Sequence, residues 1–283
     1  QWTDVEINLH KMGKRLERFA SKVRGFLNEV DDTWLFSQTV TEKDTSWTFR
    51  PVRVAQYAEK YLWRHAGRFL GMSGTILDPE IVMGDLGIGN SYEYRKFACP
   101  FPIAHRPIYY TPKVNLTKAT MEVELPLLTG AVRNIMDEYP AEKILVHTTS
   151  YAIRDYLLAQ LESQRVMTHS TENREEALKS FTGSAGPLVL LSPSFDRGID
   201  LPGDLCRVII VCKMPYLSLG DDQVKARMSL PGGDRWYQLK TVQTLVQMTG
   251  RGVRNDQDWC HSYILDQQFG RLMTRARSFF PKW

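Results

Sequence analysis

The protein has 283 residues, of which 43% are apolar, 11% aromatic and 24% charged, and its formal net charge is +4. This length allows one large domain or two modest ones, and the near-average composition excludes a disordered, collagen-like or rod-shaped protein. No run approaches the roughly 18 apolar residues of a membrane-spanning helix, and the first residues do not resemble a signal peptide. We therefore expect a soluble intracellular protein, cytoplasmic or nuclear, without a membrane partner.

The cysteines and histidines do not form a metal-binding pattern. Cys99, Cys206, Cys212 and Cys260 are scattered without a C-x-x-C pair, and no H-E-x-x-H motif is present. Four cysteines are also too few for the dense disulfide framework of a small secreted protein. We interpret them as free, mostly buried thiols in a reducing compartment, and we expect no metal site.

The first predicted element is an amphipathic helix at residues 8–30. Its apolar residues recur at steps of three and four: Leu9, Met12, Leu16, Phe19, Val23, Phe26, Leu27 and Val30. The outer face carries Lys11, Lys14, Arg15, Arg18 and Lys22. We favour a helix whose apolar stripe packs on a core and whose basic outer face is solvated, with a binding helix as the alternative.

The next segment alternates polar and aromatic residues, which predicts a hairpin or edge strands at residues 31–51. A helix at 52–65 and a short apolar strand at 68–72 follow. From about residue 140 the pattern alternates regularly. The strands are predicted at 144–147, 188–191, 208–212 and 263–265, and the helices at 150–162, 172–181, 221–228 and 236–249. This alternation predicts an α/β fold with a parallel sheet covered by helices on both faces.

Ligands of such sheets bind at the carboxyl ends of the strands, where two polar segments occur. H-T-T-S-Y (147–151) leads into a helix whose first N–H groups suit a phosphate, although for this segment alone we favour a simple N-cap. S-P-S-F-D-R-G-I-D-L-P-G-D (192–204) is rich in turn residues and carboxylates. On its own, this second segment could be any loop at a strand end.

The most informative segment is Q-M-T-G-R-G-V-R-N (247–255). Gly250 permits a close backbone approach, and Arg251 and Arg254 are spaced to point to one side of a helical turn. Two guanidinium groups fixed together can stabilise a phosphoryl group in a transition state. The alternative is a salt-bridged surface pair, which the accompanying Gln247 and Gly250 disfavour.

This segment resembles the sixth motif of superfamily 2 helicases, and residues 246–266 are similar to the XPD/DinG branch. Four more segments resemble parts of that branch in the same order. They are M-S-G-T-I-L (72–77) for the third motif, F-P-I-A-H-R (101–106), L-V-H-T-T-S-Y (145–151) for the fourth motif, and S-F-D-R-G-I-D-L-P-G-D (194–204) before K-M-P-Y (213–216). The resemblance covers roughly residues 50–270.

The resemblance implies the RecA-like second lobe of an ATP-dependent DNA helicase that translocates 5′ to 3′. ATP and Mg²⁺ would be bound mainly by a first lobe, and single-stranded DNA would cross both lobes of a monomer. Arg251 and Arg254 would be arginine fingers, and Gln247 would couple the nucleotide to the lobe interface. The remaining positions would line the nucleotide side (Gly198, Asp200, Gly250), couple the lobes (Ser73, Gly74, Thr75) and hold DNA (Thr148, Thr149, Ser150, Tyr151).

The sequence also departs from that branch. It has no G-x-x-x-x-G-K-[ST] loop, no D-E-A-H box and no cysteine set for an iron–sulfur cluster, and Asp196 and Arg197 replace the usual Trp-Glu. Since Gln1 is not a Met, we expect the C-terminal half of a longer helicase, inactive alone, with Trp283 near the natural end. We divide it into residues 1–70, a remnant of the first lobe or of its insertion, and a RecA-like domain at 71–283.

A second hypothesis is a degenerate RecA-like lobe that serves as a nucleic-acid or protein-binding module. It would explain the missing phosphate loop without truncation. Such a module has no need of Gln247, Gly250, Arg251 and Arg254, and we therefore favour the helicase.

Overall fold

A computed structural model describes residues 3–89, 91–196 and 198–281. Gln1, Arg197 and Trp283, to which some sequence predictions refer, lie outside the described residues. Among the described residues, no helix is both long and apolar enough to cross a lipid bilayer. The same residues contain no group of three or more His, Cys, Asp or Glu that could hold a metal ion.

The N-terminal helix α1 (Asp4–Glu29) is confirmed, but its apolar stripe does not pack on a core. Thr3 and Glu6 form a capping box at its start, and none of its residues is buried. Leu16 and Phe19 expose 59% and 65% of their surface. Near its end, Phe26 packs against Phe49 of the following hairpin, with ring centroids 4.4 Å apart. The prediction of a core-packing stripe is therefore wrong, because most of the stripe faces solvent.

The predicted hairpin is confirmed as the antiparallel pair β1 (Trp34–Val40) and β2 (Thr45–Pro51). The helices α2 (Ala55–Tyr61) and α3 (Pro79–Asp85) follow. The strand predicted at 68–72 is wrong, because these residues are irregular and Leu70 is 87% exposed. No described strand pairs with this segment, and a strand is stable only beside a hydrogen-bonding neighbour.

The main body is a six-stranded sheet in the order β3-β8-β7-β4-β6-β5. Its strands are β3 (Ile108–Val114), β4 (Ile144–His147), β5 (Val166–Thr168), β6 (Val189–Ser192), β7 (Val208–Val211) and β8 (His261–Asp266). Every neighbouring pair is parallel. The predicted α/β fold with a parallel sheet is therefore confirmed.

Helices cover both faces of this sheet. They are α4 (Met121–Glu138), α5 (Tyr151–Leu161), α6 (Arg174–Gly183), α8 (Gly233–Thr249) and α9 (Gln268–Ala276). Helix α7 (Asp222–Ser229) packs against α8. Ile144 and Val146 pack into a core with α4 and α5, whereas Leu145 between them packs into a second core with α6, α8 and α9. Successive side chains of a strand point to opposite faces, so β4 separates the two cores.

The prediction that the cysteines are free and mostly buried is also confirmed. All four are free thiols, and they are buried except for the exposed Cys99. Burial raises the pKa of the Cys212 thiol, and the nearby carboxylate of Asp266 adds to the effect. These buried thiols therefore act as small apolar groups of the core.

Candidate functional site

Helix α8 holds the segment that resembles the third helicase motif. Gln247 Nε2 donates a hydrogen bond to Thr75 Oγ1 at 3.0 Å, and Gln243 Nε2 donates to the backbone carbonyl of Thr75 at 2.8 Å. Closer to the start of α8, Arg235 Nη2 lies 2.7 Å from Asp78 Oδ2. The three α8 residues are spaced eight and four apart, which places them on one helix face. The structure therefore brings Gln247 and Thr75 together.

The segment at Ser73–Thr75 also has bonds of its own. Thr75 N donates to Ser73 Oγ at 3.2 Å, which closes a local turn. A side chain at Gly74 would meet open space, so no steric contact explains that glycine. Sequence reasoning missed Gln243 and Arg235 as partners of this segment. The four-residue spacing of Gln243 from Gln247 is the signal that could have identified it.

A cleft of about 580 Å³ lies beside this contact, between residues 52–85 and the helices α7 and α8. Thr75 and Gln247 both line it. On one side Arg227 of α7 forms an ion pair with Asp85 at the end of α3. Burial lowers the pKa of the Arg227 guanidinium and the charge of Asp85 opposes this shift, so Arg227 stays protonated.

The two arginines of the sixth-motif segment follow the helix rather than lying in it. Helix α8 ends at Thr249, and Gly250 is its C-cap. A Cβ added at Gly250 would lie 2.9 Å from the Val246 carbonyl in the preceding turn of α8. The role of Gly250 beside a nucleotide stays a prediction. The prediction that Arg251 and Arg254 share a helical turn is wrong, because the chain has left the helix before either residue.

Arg251 is only 5% exposed, and its two Nη atoms donate to the backbone carbonyls of Asp196 and Ile199. Its Nε is buried and has no hydrogen-bond partner among the described residues. Burial lowers the pKa of this guanidinium and the carboxylate of Asp196 raises it, so the group remains charged. In this arrangement Arg251 fixes the loop after β6.

Arg254 reaches the same loop but lies nearer to the solvent. Its Nη2 is 2.6 Å from Asp200 Oδ1, and the two side chains are 42% and 60% exposed. Its Nη1 donates to the carbonyls of Gly250 and Val253 at 3.0 and 2.9 Å. The two arginines thus converge on residues 196–200, one as a buried anchor and the other in a solvated ion pair.

Two glycines are needed for this arrangement. Gly198 has a φ of +75°, in the left-handed region that favours glycine. At Gly252, an added Cβ would lie 2.4 Å from Cys260 Cβ and 2.7 Å from the Cys206 carbonyl. Sequence reasoning identified Gly198 but missed Gly252, because the close approach is to residues distant in sequence.

The segment after β4 begins the helix α5. Ser150 occupies the N-cap position, but its side chain makes no capping hydrogen bond. The simple N-cap interpretation is therefore wrong, and the first N–H groups of α5 have no side-chain cap. Thr149 has a φ of +54°, and Tyr151 is exposed with the Arg154 guanidinium 4.7 Å from its ring centroid.

Thr148 is fully buried, unlike Thr149, Ser150 and Tyr151, and its hydroxyl donates to the Ser150 carbonyl at 3.1 Å. It is not presented to a nucleic-acid strand, which corrects its assignment as a DNA-binding residue. His147, just before it, is another buried polar residue and was missed. Burial and the nearby charge of Arg251 lower the pKa of His147 to about 3.

The position of the site relative to the sheet agrees in part with the expectation from parallel sheets. Residues 148–151 follow β4 and residues 193–200 follow β6, and these two strands are neighbours. Their carboxyl ends therefore bring the two segments to one edge. Residues 247–254 instead precede β8, and they reach that loop by the hydrogen bonds of Arg251 and the ion pair of Arg254.

This six-stranded parallel sheet, covered by helices on both faces, defines a RecA-like lobe. The profile of the helicase C-terminal domain family matches residues 132–283, and the chain belongs to that family. The resemblance to the XPD/DinG branch is thereby confirmed.

Named relatives agree with this family. The chain is 24% identical over 230 residues to the ATP-dependent DNA helicase YoaA of Escherichia coli, covering 77% of this chain and 36% of YoaA. It is 24% identical over 258 residues to the ATP-dependent DNA helicase DinG of Photobacterium profundum, covering 83% of this chain and 37% of DinG. The chain therefore spans little more than a third of these relatives.

Solved structures of XPD share the fold. Apo XPD superposes with a TM-score of 0.66 at 17% identity, covering 98% of this chain and 61% of that one. A structure of the XPD helicase gives a TM-score of 0.61 at 18% identity, covering 86% and 46%. At these identities the similarity shows the fold.

Proposed function

We propose that this chain is the second motor lobe of an ATP-dependent DNA helicase that moves 5′ to 3′ along single-stranded DNA. One observation carries the proposal: the end of α8 and the residues after it contact both the Thr75 segment and the loop at 196–200. The backbone from Gln247 to Arg254 therefore links the two segments, with a side-chain contact at each end. We propose residues 71–283 as the lobe and residues 1–70 as a separate segment.

The arginines fit a role beside a triphosphate. ATP with Mg²⁺, held mainly by a first lobe, supplies the phosphoryl group whose transfer drives the motor. Arg254 is partly solvated, and its Nη2 forms an ion pair with Asp200 while its Nη1 donates to the carbonyls of Gly250 and Val253. Because the ion pair is exposed to solvent, Nη2 can exchange Asp200 for a phosphate at small cost. Arg251 already uses both Nη atoms, and only its Nε is left without a partner. Both are proposed as arginine fingers, with Arg254 the more accessible one in this arrangement.

Coupling is assigned to the contact between Gln247 and the Ser73–Thr75 segment. Gln247 Oε1 is buried and has no hydrogen-bond partner in the part of the chain that the structure describes, while its Nε2 donates to Thr75 Oγ1. An amide with one unused acceptor can gain a hydrogen bond when the neighbouring lobe moves. Gly198 and Asp200 are assigned to the nucleotide side, since Gly198 shapes the loop and Asp200 holds Arg254.

DNA is assigned to the start of α5. The side chain of Ser150 does not cap the first N–H groups of this helix, and a helix N-terminus attracts phosphate. Thr149 and Ser150 would add hydroxyl contacts to the backbone, and the exposed ring of Tyr151 would stack on a base. Such contacts grip a strand without reading its sequence.

The decisive experiment uses this lobe together with a first lobe and measures DNA-stimulated ATP hydrolysis. Arg254→Ala is expected to lower kcat by a factor on the order of 10³, because an arginine finger stabilises charge in the transition state. Arg133→Ala, an exposed arginine of α4, is the matched control and should leave kcat unchanged. Unchanged turnover in both Arg251→Ala and Arg254→Ala would overturn the finger assignment.

Two further measurements use the 283-residue chain alone. It should show no ATP hydrolysis above background, because the sequence has no phosphate-binding loop; sustained turnover would contradict the proposal. Fluorescence anisotropy with a labelled single-stranded oligonucleotide should show about tenfold weaker binding for Tyr151→Ala. Tyr109→Ala, also exposed, is the control. Equal binding by both variants would remove Tyr151 from the DNA track.

A further inference from the structure

His169 is a buried histidine in the connection between β5 and α6, outside the motif segments. It is only 2% exposed, and both of its ring nitrogens lie within hydrogen-bond distance of a partner. Nδ1 lies 2.9 Å from the Ser170 carbonyl, and Nε2 lies 2.7 Å from the hydroxyl of Ser192 at the end of β6. We propose that neutral His169 is a positioning residue that holds the loop at 193–200 in the shape that receives Arg251.

The partners of the ring decide which nitrogen carries its proton. A carbonyl oxygen only accepts hydrogen bonds, so Nδ1 carries the proton and donates to Ser170. In the neutral ring Nε2 is then an acceptor, and it receives the hydroxyl proton of Ser192. The Ser192 oxygen keeps two lone pairs, which accept from the backbone N–H groups of Ser194 and Phe195 at 3.2 and 3.0 Å. Both ring nitrogens and the Ser192 hydroxyl are thereby fully used.

A protonated ring would not fit this cluster. Nε2–H would then donate to the Ser192 oxygen, which would face three donors with two lone pairs. Burial lowers the pKa of His169, although its hydrogen bond to the Ser170 carbonyl acts in the opposite direction. The positive charges of Arg174 and Arg154 lower that pKa further. The ring is therefore held in the neutral form, which directs the lone pairs of Ser192 to the two loop amides.

Those two amides set the start of the loop that holds the buried arginine. Phe195 is fully buried, and its ring centroid lies 4.5 Å from that of His169. The carbonyl of the next residue, Asp196, accepts a hydrogen bond from Arg251. Release of the amides from Ser192 would therefore free the loop directly before the anchor of Arg251. The importance of this anchor for ATP hydrolysis rests on the function proposed above, whereas the contacts of His169 do not.

Two variants each keep one of the hydrogen bonds of the ring. The side-chain amide of Asn matches the position of Nδ1, and that of Gln matches the position of Nε2. His169→Gln should therefore keep the bond with Ser192, whereas His169→Asn leaves this buried hydroxyl without an acceptor and no longer holds it. Amide hydrogen exchange of residues 193–200 in the 283-residue chain should be about tenfold faster in His169→Asn and unchanged in His169→Gln. Equal exchange in the two variants would overturn the proposal.

Nitrogen NMR of the same chain tests the protonation state. The Nε2 signal of His169, identified by its loss in His169→Gln, should be that of an unprotonated ring nitrogen at pH about 6, where a solvated histidine is largely protonated. A protonated Nε2 at this pH would contradict the neutral ring and the proposal with it.

The consequence for the motor is measured with this lobe together with a first lobe. Ser192→Ala and His169→Asn should each lower the kcat of DNA-stimulated ATP hydrolysis by a factor on the order of 10, because the loop that holds Arg251 is displaced. His169→Gln should restore the wild-type kcat, which a loss of general packing would not explain. Thr168→Val is the matched control, since its hydroxyl bonds the β6 backbone rather than the loop, and it should leave kcat unchanged.

The outcomes separate this inference from the proposed function. Wild-type turnover in both Ser192→Ala and His169→Asn, with turnover lost in Arg254→Ala, would overturn the role of His169 and leave the helicase proposal standing. An unaltered pair of lobes without turnover would contradict the helicase proposal, and hydrogen exchange and NMR would still decide whether neutral His169 holds the loop.

Discussion

The N-terminal helix α1 and the helices of the sheet domain carry similar apolar stripes in different surroundings. Leu128 of α4 and Leu157 of α5 are fully buried against the sheet, while Leu16 of α1 is more than half exposed. The parallel strands present broad apolar faces that helices can cover, whereas α1 contacts the hairpin and α2 near its end among the described residues. Periodicity therefore tells which face of a helix is apolar, and the neighbouring elements decide whether that face is buried.

The largest test of this contrast is a matched pair of leucine truncations. Leu190→Ala, in the buried strand β6, should lower the free energy of unfolding by about 2–5 kcal/mol, because it removes apolar contacts and leaves a cavity. Leu16→Ala should change it by less than about 0.5 kcal/mol. Urea denaturation followed by circular dichroism measures both. A similar loss in the two variants would mean that α1 packs on the core.

Within the site, the same contrast separates the two arginines. Arg251→Ala should lower the free energy of unfolding by about 2–3 kcal/mol, because it leaves the carbonyls of Asp196 and Ile199 without their donor. Arg254→Ala should cost less than about 1 kcal/mol, because its ion pair with Asp200 is screened by solvent. Thermal or urea unfolding of the two variants distinguishes these roles. A larger loss for Arg254→Ala would reverse the assignment of anchor and exposed partner.

A pH effect is expected from His147 in the sheet domain. Its pKa is about 3 in the folded state and about 6.5 when unfolded, so the unfolded chain takes up the proton first. Its contribution to stability is therefore complete above the unfolded pKa and is lost as pH falls from 6.5 towards 3. At pH 5 the loss is about 2 kcal/mol.

His147→Phe provides the measurement for this effect. Urea unfolding of both proteins at pH about 7.5 and about 5 should show a smaller loss on acidification in the variant, because other titrating groups contribute equally to both. An identical loss in the two proteins would show that His147 is not held neutral by burial.

The smallest expected effect concerns helix glycines. Gly25 in α1 and Gly130 in α4 both face open space, so replacement by Ala should stabilise each helix by about 0.5–1 kcal/mol. Gly130→Ala should raise the free energy of global unfolding. Gly25→Ala should slow amide hydrogen exchange in α1 alone. We expect this because α1 has no buried residue and should unfold locally, without unfolding of the sheet domain. Global stabilisation by Gly25→Ala would argue that the two regions unfold as one unit.

Within the six-stranded sheet, the strands that the sequence predicted correctly are the interior ones. β4, β6 and β7 are buried along their whole length and read as short apolar runs. The two outer strands were missed: β3 has partly exposed tyrosines and Pro112, and β5 has three residues. Edge strands need apolar residues on fewer positions, so their pattern is weaker. Helix α4 was missed for a related reason, since Pro126 interrupts its pattern.

The site was predictable as a set of segments and not as a set of contacts. The order of the motif segments identified Gln247, Thr75 and Asp200 as residues of interest. Which arginine is buried could not be predicted, because Arg251 binds backbone carbonyls, which have no signature in the sequence. Helix α8 ends at Thr249 because Gly250, a residue that commonly ends helices, follows it. The expectation of a helical turn at Arg251 and Arg254 did not take this glycine into account.

Helix α8 is attached to the segment at 75–78 near both of its ends. Arg235 and Gln247 are twelve residues apart, so their attachment points are separated by about 18 Å along the helix axis. With one contact, residues 75–78 could pivot on α8, whereas two separated contacts also fix the orientation of this segment relative to the helix. As long as both contacts remain, a rotation of α8 against the sheet would therefore move residues 75–78 together with the helix.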